Sequence, residues 1–229
     1  MIPLKDSNPC TCFPVVTLSL IAVNLLVFGH EILLGPRAPE FIRLYGFIPA
    51  ELSQRPLTLF SSMFVHGGIL HIVGNMLYLW IFGDNIESAF GHVRFLLLYL
   101  AFGVVGTLVH SLSDSGSTVP MVGASGAVAG VLGAYLLLYP RARVLTVIFF
   151  GFFVRLIWIP AVWVLGLWIV LQVINTLPSI NRGVGGVAFF AHIGGFAAGV
   201  LAALPVVRRI RARCARPSWE NDERTTPWR

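Results

Sequence analysis

The sequence predicts an all-α membrane protein, a polytopic bundle of six transmembrane helices. Three observations carry that expectation. Hydrophobic residues fill 56% of the 229 positions and charged residues only 11%, less than half the charged share of a soluble domain, so a water-facing surface of this size lacks the polar groups to cover it. Apolar stretches of about bilayer-crossing length follow one another along the chain. Charge is crowded at one end: Arg208, Arg209, Arg211, Arg213, Arg216, Arg224 and Arg229 share the last 22 residues with Glu220, Asp222 and Glu223, leaving 16 charges for the other 207 positions. The same hydrophobicity excludes a disordered chain. The net charge of +6 does not point to nucleic acid, because the basic run stands directly behind an apolar segment, where the anionic bilayer surface is the nearer partner.

In order, residues 1–12 read as a cytoplasmic N-terminal segment, 13–207 as the membrane domain and 208–229 as a basic cytoplasmic tail. The first span is 13–34, too long and too poorly preceded by positive charge to be a cleaved signal peptide. A mixed loop follows over 35–62. The second span runs from about 63 to 83, ending at Gly83 before Asp84 and Glu87, and the third from about 93 to 112. A polar stretch at 113–118 separates it from the fourth, at about 121–139. From Val144 to Leu177 the sequence is apolar but broken by Gly151, Arg155 and Pro160. The fifth span is set at about 160–177, since proline suits a first helical turn. The preceding 144–159 is read as an interfacial or re-entrant hairpin, with a tilted helix from Phe149 as the alternative. The sixth span is about 187–207. Cys10, Cys12 and Cys214 all lie near the ends, so no disulfide framework is indicated.

Lysine and arginine counts in short loops set the orientation. One side holds Lys5, Arg94, Arg141, Arg143, Arg155 and the seven tail arginines; the other holds Arg37, Arg43, Arg55 and Arg182. Both termini are therefore expected in the cytoplasm, and the second, fourth and sixth spans enter from outside.

Those three spans carry the polar residues that a bilayer makes costly and that default to a functional reading. His66, His71 and Asn75 are expected near the outer end of the second, Ser125 in the fourth within Gly123-Ala124-Ser125-Gly126, and His192 in the sixth within Ala191-His192-Ile193-Gly194-Gly195. A lone intramembrane serine usually packs or bonds its own backbone, and a lone histidine is usually a helix contact. Together, at one expected depth, they make a nucleophile and base. Gly126, Gly130 and Gly133 on one helix, and Gly195 and Gly199 beside His192 on another, are small-residue faces that let backbones approach in lipid. His71 and Asn75 are four apart, hence on one helical face, and both carry N–H donors suited to a developing oxyanion. Ser125 is expected near a helix N-terminus, where backbone N–H groups favour negative charge. No carboxylate is placed to orient His192, so the arrangement reads as a Ser–His dyad rather than a triad.

At these residues the sequence resembles the rhomboid family of intramembrane serine proteases. The matching pieces are His66-x4-His71-x3-Asn75, Gly123-Ala124-Ser125-Gly126 and Ala191-His192-x-x-Gly195, with Gly83-x3-Glu87-x3-Gly91, Arg94 and Tyr45-Gly46-Phe47-Ile48-Pro49 in support. The resemblance implies Ser125 as nucleophile, His192 as general base and then acid, and His71, Asn75 and the Ser125 backbone N–H as oxyanion hole. His66, Gly123, Gly126 and Gly195 take supporting places, and neither cofactor nor metal is implied. The substrates it implies are transmembrane proteins cut near the outer face, admitted between the second and fifth spans. The expected location is a prokaryotic plasma (inner) membrane. Two features depart from the family: Ala129 stands where many members have an aromatic ring that stacks on the histidine, with Phe189 or Phe190 as substitutes, and the first loop lacks a Trp-Arg pair. The rival from another class is a non-enzymatic membrane-helix binder, a chaperone or quality-control factor. A transporter lacks the inverted repeat it needs, and a zinc protease lacks His-Glu-x-x-His.

Overall fold

A computed structural model of the chain describes residues 1–8, 12–150, 153–179 and 189–208. Cys10, Cys214, Arg182 and nearly all of the basic tail lie outside the described residues. In chain order the elements are strand β1 (Ile2–Asp6) and helices α1 (Val15–Leu34), α2 (Ala38–Tyr45), α3 (Thr58–Ser61), α4 (Ile69–Phe90), α5 (His92–Ser113) and α6 (Ser125–Leu138). Strands β2 (Arg143–Phe150) and β3 (Phe153–Pro160) follow, and helices α7 (Ala161–Ser179) and α8 (Phe189–Ala203) complete the described fold. Among the described residues three stretches are long and apolar enough to cross a bilayer: Val15–Tyr45, Ile69–Phe90 and His92–Ser113. Ser125–Leu138, Ala161–Ile174 and Phe189–Ala203 are apolar but shorter.

The fold is mostly helical but not all-α. The hairpin expected over 144–159 is a β-hairpin, registered from Arg143↔Pro160 to Phe150↔Phe153, and β1 adds to it antiparallel, giving the order β1-β2-β3. The tilted-helix alternative fails for a physical reason: Val, Ile, Thr, Phe and Trp dominate both strands, and β-branched and aromatic side chains fit a pleated ladder better than a helix. β1 is tied to the bundle through Asp6, which accepts hydrogen bonds from Tyr135 and from the Asn85 amide. Burial pushes the Asp6 carboxyl up to about 6, opposed by the Tyr135 hydrogen bond and assisted by the nearby Asp84.

Tyr135 is near the end of α6 and Asn85 near the end of α4, so these helices run in the same direction. α1 runs against α4. Its first turn is capped by the fully buried Glu87, which accepts hydrogen bonds from the Val16 N–H (2.9 Å), the Thr17 N–H (2.8 Å) and the Thr17 hydroxyl (2.7 Å). This satisfies N-terminal donors that a buried helix end leaves open. Its last turn presents Glu31 to the His66 backbone N–H at 3.1 Å.

The second span differs from its expected bounds at both ends. α4 continues past Gly83 to Phe90, because that glycine is needed for a helix contact: a Cβ there would stand 3.0 Å from Thr17 of α1. The helix stops instead at Gly91, whose φ of +81° suits glycine. At the other end α4 starts only at Ile69, and His66 lies before it rather than in it. The Gly67-Gly68 pair delays the helix, as glycine does.

The α6–α8 contact is backbone on backbone. A Cβ on Gly195 would lie 2.0 Å from the Gly126 carbonyl oxygen, and one on Gly133 would lie 2.1 Å from that of Phe196. The α5 helix closes the other side, with Phe102 against Gly130 and Gly106 against the Ala191 carbonyl.

Candidate active site

Ser125 is the first residue of α6, not a residue four positions inside it, because the extended backbone runs on to Gly123 and Ala124 sits at the N-cap. Its N–H is therefore among those that the helix leaves without intrahelical partners, at the positive end of the dipole. The segment leading to it is held from three sides. Phe47 and Met121 exchange backbone hydrogen bonds of 2.9 and 2.7 Å, and the Gly123 N–H bonds the Ser62 carbonyl at 2.9 Å. The Ala124 N–H points to the His66 Nε2 at 3.5 Å. The Tyr45-Gly46-Phe47-Ile48-Pro49 motif thus anchors the strand before the serine, with Phe47 and Ile48 buried.

One cavity of about 860 Å³ is lined by Ser125, His192, His71 and Asn75 together with Tyr78, Trp168 and Gln172. Each of the four named first lies in the opening two turns of its helix: Ser125 first in α6, His71 third and Asn75 seventh in α4, His192 fourth in α8. All three helices therefore present N-terminal ends to the cavity. The site is nearer to the helix ends than the sequence spacing implied, because α4 and α6 begin later than expected. Among the described residues no acid or strong base lines it.

Gly123 has φ +116°, and a Cβ there would lie 2.5 Å from the His71 Nε2 and 3.5 Å from the Asn75 Nδ2. Only glycine lets this backbone pass so close to both donors. His66 does not line the cavity; it stands behind it, buried, with its Nε2 3.1 Å from the Asn75 Nδ2. An amide N–H donates in such a pair, so His66 accepts and fixes the orientation of Asn75. His66 and His71 meet edge to face, with ring centroids 5.2 Å apart. Among the described residues no group of three metal-ligating side chains comes together.

Two residues around His192 were not singled out as its partners by the spacing arguments. Gln172 of α7 places its Oε1 2.8 Å from the His192 Nδ1. Trp168, one turn earlier, lies with its ring centroid 5.7 Å from that of His192 at an interplanar angle of 38°. Phe189 meets the imidazole edge-on at 6.3 Å. Trp168 and Phe189 thus surround the ring that Ala129, buried on α6, does not touch with an aromatic. The signal was present as a Trp-x3-Gln pair on one face of a mostly apolar helix.

The family model described as the Rhomboid domain matches residues 53–209, which takes in every residue of this cavity. The chain belongs to the rhomboid family. Among its relatives, the RHOMBOID-like protein 5 of Arabidopsis thaliana is 36% identical over 132 residues, covering 57% of this chain and 41% of that protein. The Rhomboid protein 1, mitochondrial, of Saccharomyces cerevisiae is 31% identical over 135 residues, 57% of this chain and 38% of that one. The Rhomboid protease GluP of Bacillus subtilis is 36% identical over 126 residues, 54% of this chain and 24% of its own length. The matches span less than half the length of each of these relatives. This rhomboid is an integral, multi-pass membrane protein, and the helix-end cavity lies within its family domain.

Proposed function

We propose that this rhomboid is an intramembrane serine endopeptidase that cuts transmembrane segments of membrane proteins near the outer face of the bilayer. The observation that carries the reading is the meeting of Ser125 and His192 in one cavity with His71 and Asn75. In the proposed reaction the Ser125 Oγ bonds to the scissile carbonyl carbon while its proton passes to the His192 Nε2. The oxyanion is taken up by N–H groups of His71, Asn75 and the Ser125 backbone. His192 then gives its proton to the leaving amine, and water, deprotonated by the same base, releases the acyl product and restores Ser125. A substrate helix must unwind locally to offer its carbonyl, since an intact helix spends it on its own ladder.

Six apolar helices support a six-span topology, with the lysine- and arginine-rich ends cytoplasmic and the N-termini of α4, α6 and α8 facing outward. α6 has 14 residues, about 21 Å at 1.5 Å per residue, against a hydrocarbon core of about 30 Å. Its N-terminal Ser125 is thereby recessed by about 10 Å, deep enough to meet a membrane segment and shallow enough for water to reach from outside. The relatives carry plant, mitochondrial and bacterial names, and only the bacterial one favours the prokaryotic plasma membrane.

The test is cleavage of a single-pass reporter by purified protein in nanodiscs. Wild type is expected to cut it, Ser125→Ala and His192→Ala to leave it whole, and EDTA to change nothing. Cleavage that survives Ser125→Ala refutes the mechanism. A wild-type protein that binds the reporter without cutting it assigns the helix-binding role instead.

A further inference from the structure

We propose that Gln172 is the positioning residue of the catalytic base, taking the place that a carboxylate holds in a triad. The inference rests on the protease reading and says how its base is held. A histidine can accept the serine proton at Nε2 only if its own proton sits on Nδ1. The Gln172 Oε1, 2.8 Å from Nδ1, is an acceptor with nothing to donate, so it selects that tautomer and aims the ring. During acylation the Ser125 proton goes to Nε2; the Nδ1 proton stays on His192, still held by Gln172, and nothing is transferred to the amide.

Among the described residues no acid lines this cavity. Glu31 accepts from the His66 backbone and Glu87 caps α1, while Asp6 and Asp84 are at the opposite end of the bundle.

The second constraint on the ring comes from the same helix. Trp168 covers the imidazole at 5.7 Å and stacks in turn on Phe196 at 6.3 Å and 29°. Trp168 and Gln172 are four residues apart, on one face of α7, and both line the cavity. α7 therefore supplies both the ring that Ala129 lacks and the acceptor that no acid provides. His192 is oriented only while α7 stays packed against α8.

The experiment measures kcat and KM for reporter cleavage with the full chain in nanodiscs, beside the thermal unfolding midpoint and the 15N imidazole signals of His192. Gln172→Leu is expected to lower kcat by about 10- to 100-fold, between the loss of one neutral hydrogen bond and the loss of a triad acid. KM should stay within about twofold and the midpoint should not move. Gln172→Glu should recover most of the rate, since a carboxylate accepts from Nδ1–H and cannot donate to it. The 15N signals should report the Nδ1–H tautomer in wild type and a mixture in Gln172→Leu. Wild-type kcat in Gln172→Leu, an equal loss in Leu and Glu variants, or an Nε2–H tautomer in wild type overturns the assignment. If wild type cleaves no faster than Ser125→Ala, the protease reading has failed instead, and the tautomer still decides what Gln172 does to His192.

Discussion

Gly195→Ala is the perturbation that the packing makes most quantitative. The added Cβ would sit 2.0 Å from the Gly126 carbonyl oxygen, where ordinary contact begins at 3.4 Å. Neither atom is the end of a flexible side chain, so α6 and α8 must part by about 1.4 Å, the difference of those two distances. Ser125 adjoins Gly126, and His192 is one turn before Gly195, so the separation falls on the proposed nucleophile and base themselves. A misplacement of about 1 Å costs on the order of 10²-fold in rate, and overpacking of this kind costs about 1–3 kcal/mol in stability. Gly29→Ala is the control: its position in α1 has nothing within 4 Å of a Cβ, and alanine in an open helix is favoured by about 0.5–1 kcal/mol. Reporter cleavage and thermal unfolding in nanodiscs read both effects. Gly195→Ala should cleave about 100-fold more slowly with a lowered midpoint, and Gly29→Ala should match wild type or exceed its midpoint. Cleavage within about threefold of wild type by Gly195→Ala would mean that the glycine contact does not set the distance between Ser125 and His192.

Two other outcomes follow from the site and from the strand that ties the N-terminus to the bundle. Asn75→Ala is expected to lower kcat by no more than about 10²–10³-fold, the range for one oxyanion donor, and His66→Ala by less; because His66 acts partly through Asn75 and partly through the Ala124 N–H, the losses in the double variant should be less than additive, and full additivity in that cycle would separate the two. The folded pKa of Asp6, about 6, is above the 3.8 of a free carboxyl, so the native state holds this proton more tightly than the unfolded chain; its contribution to stability is fully present below about 4 and is lost as pH rises through about 6. Asp6→Asn should flatten the unfolding midpoint over that window, and an unchanged pH slope would remove Asp6 as its source.

Much of the site was legible because its polar residues stand out against lipid-compatible sequence. Ser125, His192, His71 and Asn75 were found by asking which polar side chains share a helix end, and the structure gathers all four round one cavity. The glycine faces were equally visible, since a period of three and four in small residues maps directly onto a helical stripe. What spacing did not show was where α4 and α6 start. The α4 start depends on the Gly67-Gly68 pair, and the α6 start on tertiary hydrogen bonds to Phe47, Ser62 and His66, which hold the residues before Ser125 out of the helix. The β-hairpin was obscured because an apolar run of that length fits lipid, sheet or helix by hydropathy alone. Gln172 escaped because an amide in a span reads as a packing contact until the neighbouring helix is in place.

The central claim is that Ser125 is a nucleophile activated by His192, and the most direct measurement is the site of a covalent adduct. Purified protein treated with a serine-directed fluorophosphonate should yield one phosphonylated peptide, with the modification on Ser125 by mass spectrometry. The adduct should vanish in Ser125→Ala and form far more slowly in His192→Ala. An unmodified Ser125 in protein that still cleaves its reporter, or an adduct on another serine that persists in Ser125→Ala, would contradict the account.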